Sequence, residues 1–220
     1  MPTEYVPLAA SRPFANSSCT VGARNDRATL IDPVGGKAVG RLSLGGKPEF
    51  AVVDGHGHLF VNLEDQNKTA VIDTAGRKVI GNYDLPGCER PSALGIDVES
   101  GVLVAACANR TAVAIRAADG QVIAPHLAID RKPDAVIFDA AKKNFYIPCG
   151  RDGTLAVISE SSDNVLTVRE SVPTAVGAHT GALDTKTGRL YLPTADYHIT
   201  LSGIGPADGT FRILVLAAKP

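Results

Sequence analysis

Four residues able to do chemistry occupy one repeated place in this 220-residue chain. Glu49, Ser92, Asp134 and His179 each stand five residues before an aspartate that closes a short apolar run, at Asp54, Asp97, Asp139 and Asp184. If those runs converge on one axis, two carboxylates, a hydroxyl and an imidazole could ligate a divalent cation such as calcium or hold a polar ligand. The plainer alternative is that each side chain only caps its own loop, because Asp, Ser and Glu are common turn residues.

A second set of polar residues begins ten to twelve positions after the aspartate of each unit: Glu64 and Asp65 in "EDQN", Asn109 and Arg110 in "ANR", Arg151 and Asp152 in "GRDG", and Asp196, Tyr197 and His198 in "ADYH". They differ from unit to unit on a constant frame, as a binding site requires and as solvated loops also do. Arg151 and Asp152 are expected to pair with each other, a contact worth about 0–1 kcal/mol when exposed. "DGHGH" at 54–58 resembles a metal motif, but its place in the repeat makes it a hairpin turn at the other end, with His56 and His58 exposed. The chain has no nucleophile elbow, HExxH helix, phosphate loop or dinucleotide fingerprint.

The elements that must position these groups are read from the repeat. "PEFAVVD", "PSALGID", "PDAVIFD" and "HTGALD" recur every 42 to 45 residues. After each come a few turn-forming residues and a second apolar run, "LFVNL", "VLVAA", "FYIPC" and "LYLPT". That is a β-hairpin signature written four times. A polar loop, a third run such as "TAVID" and a weaker fourth such as "KVIGNYDL" complete a four-stranded unit of the length of a β-propeller blade. Composition agrees: 22 Gly, 14 Pro and one Met suit short strands joined by turns.

The expected fold is therefore all-β, a propeller of four-stranded antiparallel blades with about five present and the first incomplete. One domain, 1–220, divides into units 1–47, 48–90, 91–132, 133–178 and 179–220. In the last unit "FRILVL" reads as a third strand, so an N-terminal strand would have to complete that blade. Function in such a ring belongs at the mouth of the channel, where the loops entering the innermost strands meet those joining second to third strands.

Twenty-two basic against 23 acidic residues, with no run of like charge, give no footprint for a phosphate backbone, so no nucleic-acid partner is expected. No apolar stretch approaches the roughly 18 residues of a membrane helix, and no membrane insertion is expected. The opening residues lack the basic and apolar regions of an export leader.

"GGKPEFAVVDGHGHLFVNLEDQNKTAVID" and "RLYLPTADY…GTFRILVL" resemble the YVTN-repeat β-propeller family, including its YncE-type bacterial members. The likeness runs from about Ala28 to the C-terminus and matches the last five blades of a seven-bladed parent. It implies a periplasmic or extracellular protein, although the missing leader leaves the cytoplasm open. It also implies a non-catalytic module that binds a small ligand, a peptide or a protein, with no cofactor. An incomplete ring would expose apolar blade faces through which the chain could form a homo-oligomer. The alternative is a lactonase-like hydrolase that uses the funnel acids and histidine around a calcium ion.

Cys88 precedes the first strand of its unit and Cys107 ends the second, so antiparallel pairing brings them to one end. A disulfide fits there, and similar cysteines recur in the family resembled. Two buried thiols fit equally well. Cys149 takes the place of Leu63 and Ala106 in sister units and is expected to fill core.

Overall fold

The computed structural model describes residues 6–7, 18–22, 26–32, 34–200 and 203–217. Its strands fall into successive antiparallel sheets. The first holds β1 (Val6–Pro7), β2 (Ser18–Gly22), β3 (Arg27–Asp32) and β4 (Lys37–Ser43). The second holds β5 (Pro48–Val53), β6 (His58–Leu63), β7 (Lys68–Asp73) and β8 (Lys78–Asp84). The third holds β9 (Pro91–Asp97), β10 (Val102–Cys107), β11 (Thr111–Arg116) and β12 (Val122–Ala128). The fourth holds β13 (Ile137–Asp139), β14 (Asn144–Cys149), β15 (Thr154–Glu160) and β16 (Leu166–Pro173).

The fifth sheet has three strands, β17 (Ala182–Asp184), β18 (Arg189–Thr194) and β21 (Arg212–Leu216). A separate ribbon, β19 (Tyr197–Thr200) with β20 (Gly203–Pro206), is inserted between β18 and β21. This is the arrangement of propeller blades, each meandering outward from an inner strand. The N-terminal strand does not complete the last blade as the repeat suggested: β1 pairs with β2, in the first sheet.

The aspartate that marks each unit has a local job. In all four repeats one carboxylate oxygen accepts the backbone N–H two residues on, at His56, Glu99, Ala141 and Lys186, over 2.7 to 3.0 Å. That Asx turn reverses the chain between first and second strands and leaves the other oxygen for a partner that differs from blade to blade. A second shared feature lies between third and fourth strands. Their register slips at Leu30/Ile31, Val71/Ile72, Ala114/Ile115 and Val157/Ile158, and such bulges increase the twist that swings the outer strand away.

Inner blades are covered on both sides, which is why β6 and β10 read as continuous apolar runs and are buried almost throughout. On β6, Leu59, Val61 and Leu63 face Ala28 and Leu30 of the first sheet. Phe60, from the opposite face, meets Leu94, Leu103 and Val113 of the third. Asn62 lies fully buried on that side; its amide donates to the Ala93 carbonyl at 2.9 Å and its oxygen accepts the Thr69 hydroxyl at 2.8 Å, so blade joins blade with no polar atom stranded. Between the third and fourth sheets Val102, Val104 and Ala114 meet Phe145, Ile147 and Ile158. Gly95 sits where the inner strands touch: a Cβ there would fall 2.5 Å from a Val136 methyl. The last packet, Leu155, Ala178, Leu190 and Leu192, is smaller. Beyond it Phe211, Ile213 and Val215 stand more than half exposed on the outer side of β21.

One buried charge at this third-to-fourth junction sets a pH dependence. The Glu160 carboxyl is 7% exposed, and neither oxygen has a hydrogen-bond partner among the described residues. Burial pushes its pKa up, and Asp97 nearby adds to that, against the pull of Ser100 and Lys143. A carboxyl whose folded pKa lies above its unfolded value contributes stability that is fully present below the unfolded pKa and is lost as pH rises through the folded one. Glu160→Gln is therefore expected to raise the unfolding free energy at pH 8 by about 1 kcal/mol for an unpaired buried group, seen as a higher denaturant midpoint, and to leave it unchanged at pH 4. Equal effects at both pH values would show that Glu160 binds its proton equally well in the folded and unfolded protein.

Candidate functional site

The funnel is built by the loops entering the inner strands and those joining second to third strands. In blades two to four the residue before the proline that opens the inner strand is a cation: Lys47, Arg90 and Lys132. Arg90 and Lys132 take φ values of 55° and 60°, a conformation a non-glycine residue adopts only when its surroundings hold it. The Arg90 N–H donates to the Asn67 side chain at 2.8 Å, and the Lys132 carbonyl accepts the Gly150 N–H at 3.0 Å. Both loops are thereby tied to the second-to-third strand loop of a blade. Cys88, two residues before Arg90, is disulfide-bonded to Cys107 with the Cα atoms 5.5 Å apart. Cys149 is free and buried, and burial pushes its thiol up to about 12, so it is core rather than nucleophile.

On the blade-two side the charges close on one another. The Lys47 ammonium lies 2.8 Å from Glu49 and also contacts Glu64. Arg90 reaches the other oxygen of Glu64 through Nε at 2.9 Å and a terminal nitrogen at 2.5 Å. Although burial opposes it, these two cations hold the Glu64 carboxyl below the usual carboxylate range. Glu49 is displaced the other way, because its burial and the charge of Glu64 outweigh its single contact with Lys47.

The blade-four side is arranged differently. Asp152 does not pair with its neighbour Arg151. Arg131, on the loop leading into that blade, approaches the Asp152 carboxylate through Nε at 2.8 Å and its backbone N–H at 2.8 Å, and holds its pKa down. Adjacent turn residues point apart, whereas Arg131 lies across the loop in line with the carboxylate. Arg151 and Lys132 consequently form no ion pair among the described residues, although both line the same cavity of about 430 Å³ with Glu49, Glu64, Ser92 and Asp134.

The remaining sequence candidates fall into place around this cavity. Asp134 and His179 come together, with His179 Nε2 at 3.6 Å from a carboxylate oxygen. The other ring nitrogen of His179 is 2.6 Å from the Gly177 carbonyl, which places the proton there. Gly150 admits this approach, since a Cβ on it would lie 2.5 Å from that of His179. The Ser92 hydroxyl donates to the Pro133 carbonyl at 2.7 Å, tying neighbouring inner strands. Asn109 is a loop tie, its amide donating to the Gly87 carbonyl and its oxygen accepting the Glu89 N–H.

"ADYH" opens the second-to-third strand connection of the fifth blade, outside the lining of this cavity. Asp196 accepts from Arg212 at 2.7 Å, and Tyr197 and His198 begin the inserted ribbon. At the opposite end His56 is exposed as expected, but His58 is only half exposed and its Nδ1 lies 2.7 Å from Asp54. The cations Lys47, Arg90 and Lys132 were overlooked in the sequence; a basic residue followed by proline, three times at the repeat spacing, was the signal available.

No protein-family model and no curated protein sequence matches the chain. Among solved structures it is similar to "Kuenenia stuttgartiensis Hydrazine Synthase", with a TM-score of 0.72 and 14% identity over 94% of this chain and 61% of that one. It is also similar to a chain of "Crystal Structure of Mitotic Checkpoint Complex", with a TM-score of 0.66 and 17% identity over 82% of this chain and 56% of that one. Both are β-propellers, and the chain spans little more than half their length. At such identities the likeness is one of fold, and the fold is that of a β-propeller with about five blades in open arrangement.

Proposed function

We propose that the chain is a non-catalytic binding module whose funnel takes a small polar ligand through a carboxylate or phosphate group. The observation that carries this reading is the asymmetry of the cavity: four charges neutralise one another on one side, while on the other Lys132 and Arg151, neither in an ion pair among the described residues, outnumber the one carboxylate of Asp134. An anion there would meet two cations whose loops are already fixed, so little ordering is needed on binding. The hydrolase alternative finds no support in the donor set. Glu49 and Glu64 are engaged by Lys47 and Arg90, and among the described residues no three His, Cys, Asp or Glu gather as a metal site. The Cys88–Cys107 bridge favours an oxidising compartment such as the cell envelope.

Thermal unfolding of the wild type with citrate, phosphate or the neutral polyol erythritol tests the idea. Citrate or phosphate should raise the melting temperature, erythritol should not, and Lys132→Ala or Arg151→Ala should each weaken anion binding roughly 10- to 100-fold. Equal response to anion and polyol, or anion binding unaffected by both substitutions, would refute it.

A further inference from the structure

A second site, independent of the funnel, lies at the opposite end of the junction between blades two and three. The Asx-turn aspartates all spend one oxygen on the backbone, and their second oxygens go to different groups. Asp97 meets Lys143 at 2.8 Å and Asp184 meets the Thr187 hydroxyl at 2.6 Å. Asp54 alone meets an imidazole, with His58 Nδ1 at 2.7 Å from its Oδ2 while Oδ1 accepts the N–H groups of His56 and His58. A carboxylate pinned by two backbone donors fixes both the ring orientation and the tautomer: Nδ1 carries the proton, and in the neutral ring Nε2 presents a lone pair.

That ring stands at the wall of a cleft of about 300 Å³, large enough for a ligand of one or two rings. Asp54 and His56 line the cleft beside His58, and the rest of its wall is mainly apolar, formed by Val71, Ile80, Ile96 and Val98 with the ring of Tyr83. Its floor is fixed, because the Tyr83 hydroxyl donates to the Ala117 carbonyl at 3.0 Å and the ring rests on Gly120, where a Cβ would lie 2.3 Å from it. Ile80 and Val98 remain about half exposed at the rim. Both Asp54 oxygens are engaged, so the acceptor of fixed orientation in this mainly apolar slot is His58, an arrangement complementary to a flat apolar molecule bearing one hydrogen-bond donor. We propose that this cleft binds a small aromatic compound carrying one O–H or N–H group, a phenol or an indole, whose ring lies between Ile80 and Val98 and whose donor reaches His58 Nε2. A metal ion is the poorer match, since Nδ1 is committed to Asp54 and no third ligand joins the pair among the described residues.

The test is a titration of the full chain with phenol and, in parallel, with toluene, which has the same ring and no donor. It is followed by the His58 ring nitrogen resonances and the methyl resonances of Val71, Ile80, Ile96 and Val98. Phenol should saturate, move those methyls and the Nε2 resonance, and bind roughly tenfold more tightly than toluene, the difference of one hydrogen bond. In His58→Gln that preference should fall, and in His56→Ala, at the rim, it should persist. Equal affinity for phenol and toluene in the wild type, or no saturation of these methyls up to the solubility limit, would overturn the proposal. The wild-type comparison needs no variant to fold.

Discussion

Phe145→Ala is expected to cost about 3–5 kcal/mol of unfolding free energy, the largest loss of any single truncation considered for this chain. The ring is fully buried on β14, in the packet shared by the third and fourth blades. It packs against Phe138 with centroids 4.6 Å apart and the rings tilted by 40°. Its neighbours Val104, Ile147 and Ile158 belong to strands held on both sides by hydrogen bonds, so they cannot close in on the space left behind. Urea unfolding would show the loss as a lower midpoint with an unchanged slope. A cost below about 1 kcal/mol would mean that these two blades do not share a close-packed interface.

Loss of the Cys88–Cys107 bridge should cost about 3 kcal/mol and, unlike the first substitution, should also reach the funnel. The two cysteines are 19 residues apart, and the loop-closure argument gives a value of that order for such a separation. Cys88 covalently anchors the loop that carries Arg90, whereas its other ties are hydrogen bonds, among them the exposed Glu89 N–H to Asn109 and Arg90 N–H to Asn67. Cys107→Ser, or reduction of the wild type, should lower the melting temperature and weaken citrate binding together, because Arg90 then no longer neutralises Glu64 in a fixed geometry. A Cys107→Ser variant that melts with the oxidised wild type would show that the bridge does not stabilise the folded protein.

The parts of this molecule that the sequence disclosed are those written in repeat. Asp54, Asp97, Asp139 and Asp184 located the hairpins because an Asx turn needs that residue at that place each time. Glu49, Ser92, Asp134 and His179 were placed on one rim because the inner strands all start there. What stayed hidden depends on contacts between units. Nothing local to "GRDG" announces that Arg131, from the preceding loop, will take Asp152 and leave Arg151 unpaired. Asn109 looked like a funnel residue until its two bonds to the 87–89 backbone showed it holding the loop. The turn "DGHGH" was correctly placed as a hairpin, yet the imidazole it holds over an apolar cleft depends on Ile96 and Val98 arriving from the next blade. The inserted ribbon interrupts the last unit where the pattern promised an ordinary loop.

Calorimetric titration of citrate into the wild type and into Lys132→Ala/Arg151→Ala, at low and at physiological salt, tests the binding-module reading most directly. It predicts saturable one-site binding to the wild type that weakens with salt, and loss of that binding in a double variant that melts at the wild-type temperature. Unchanged titration curves for the two proteins would contradict it.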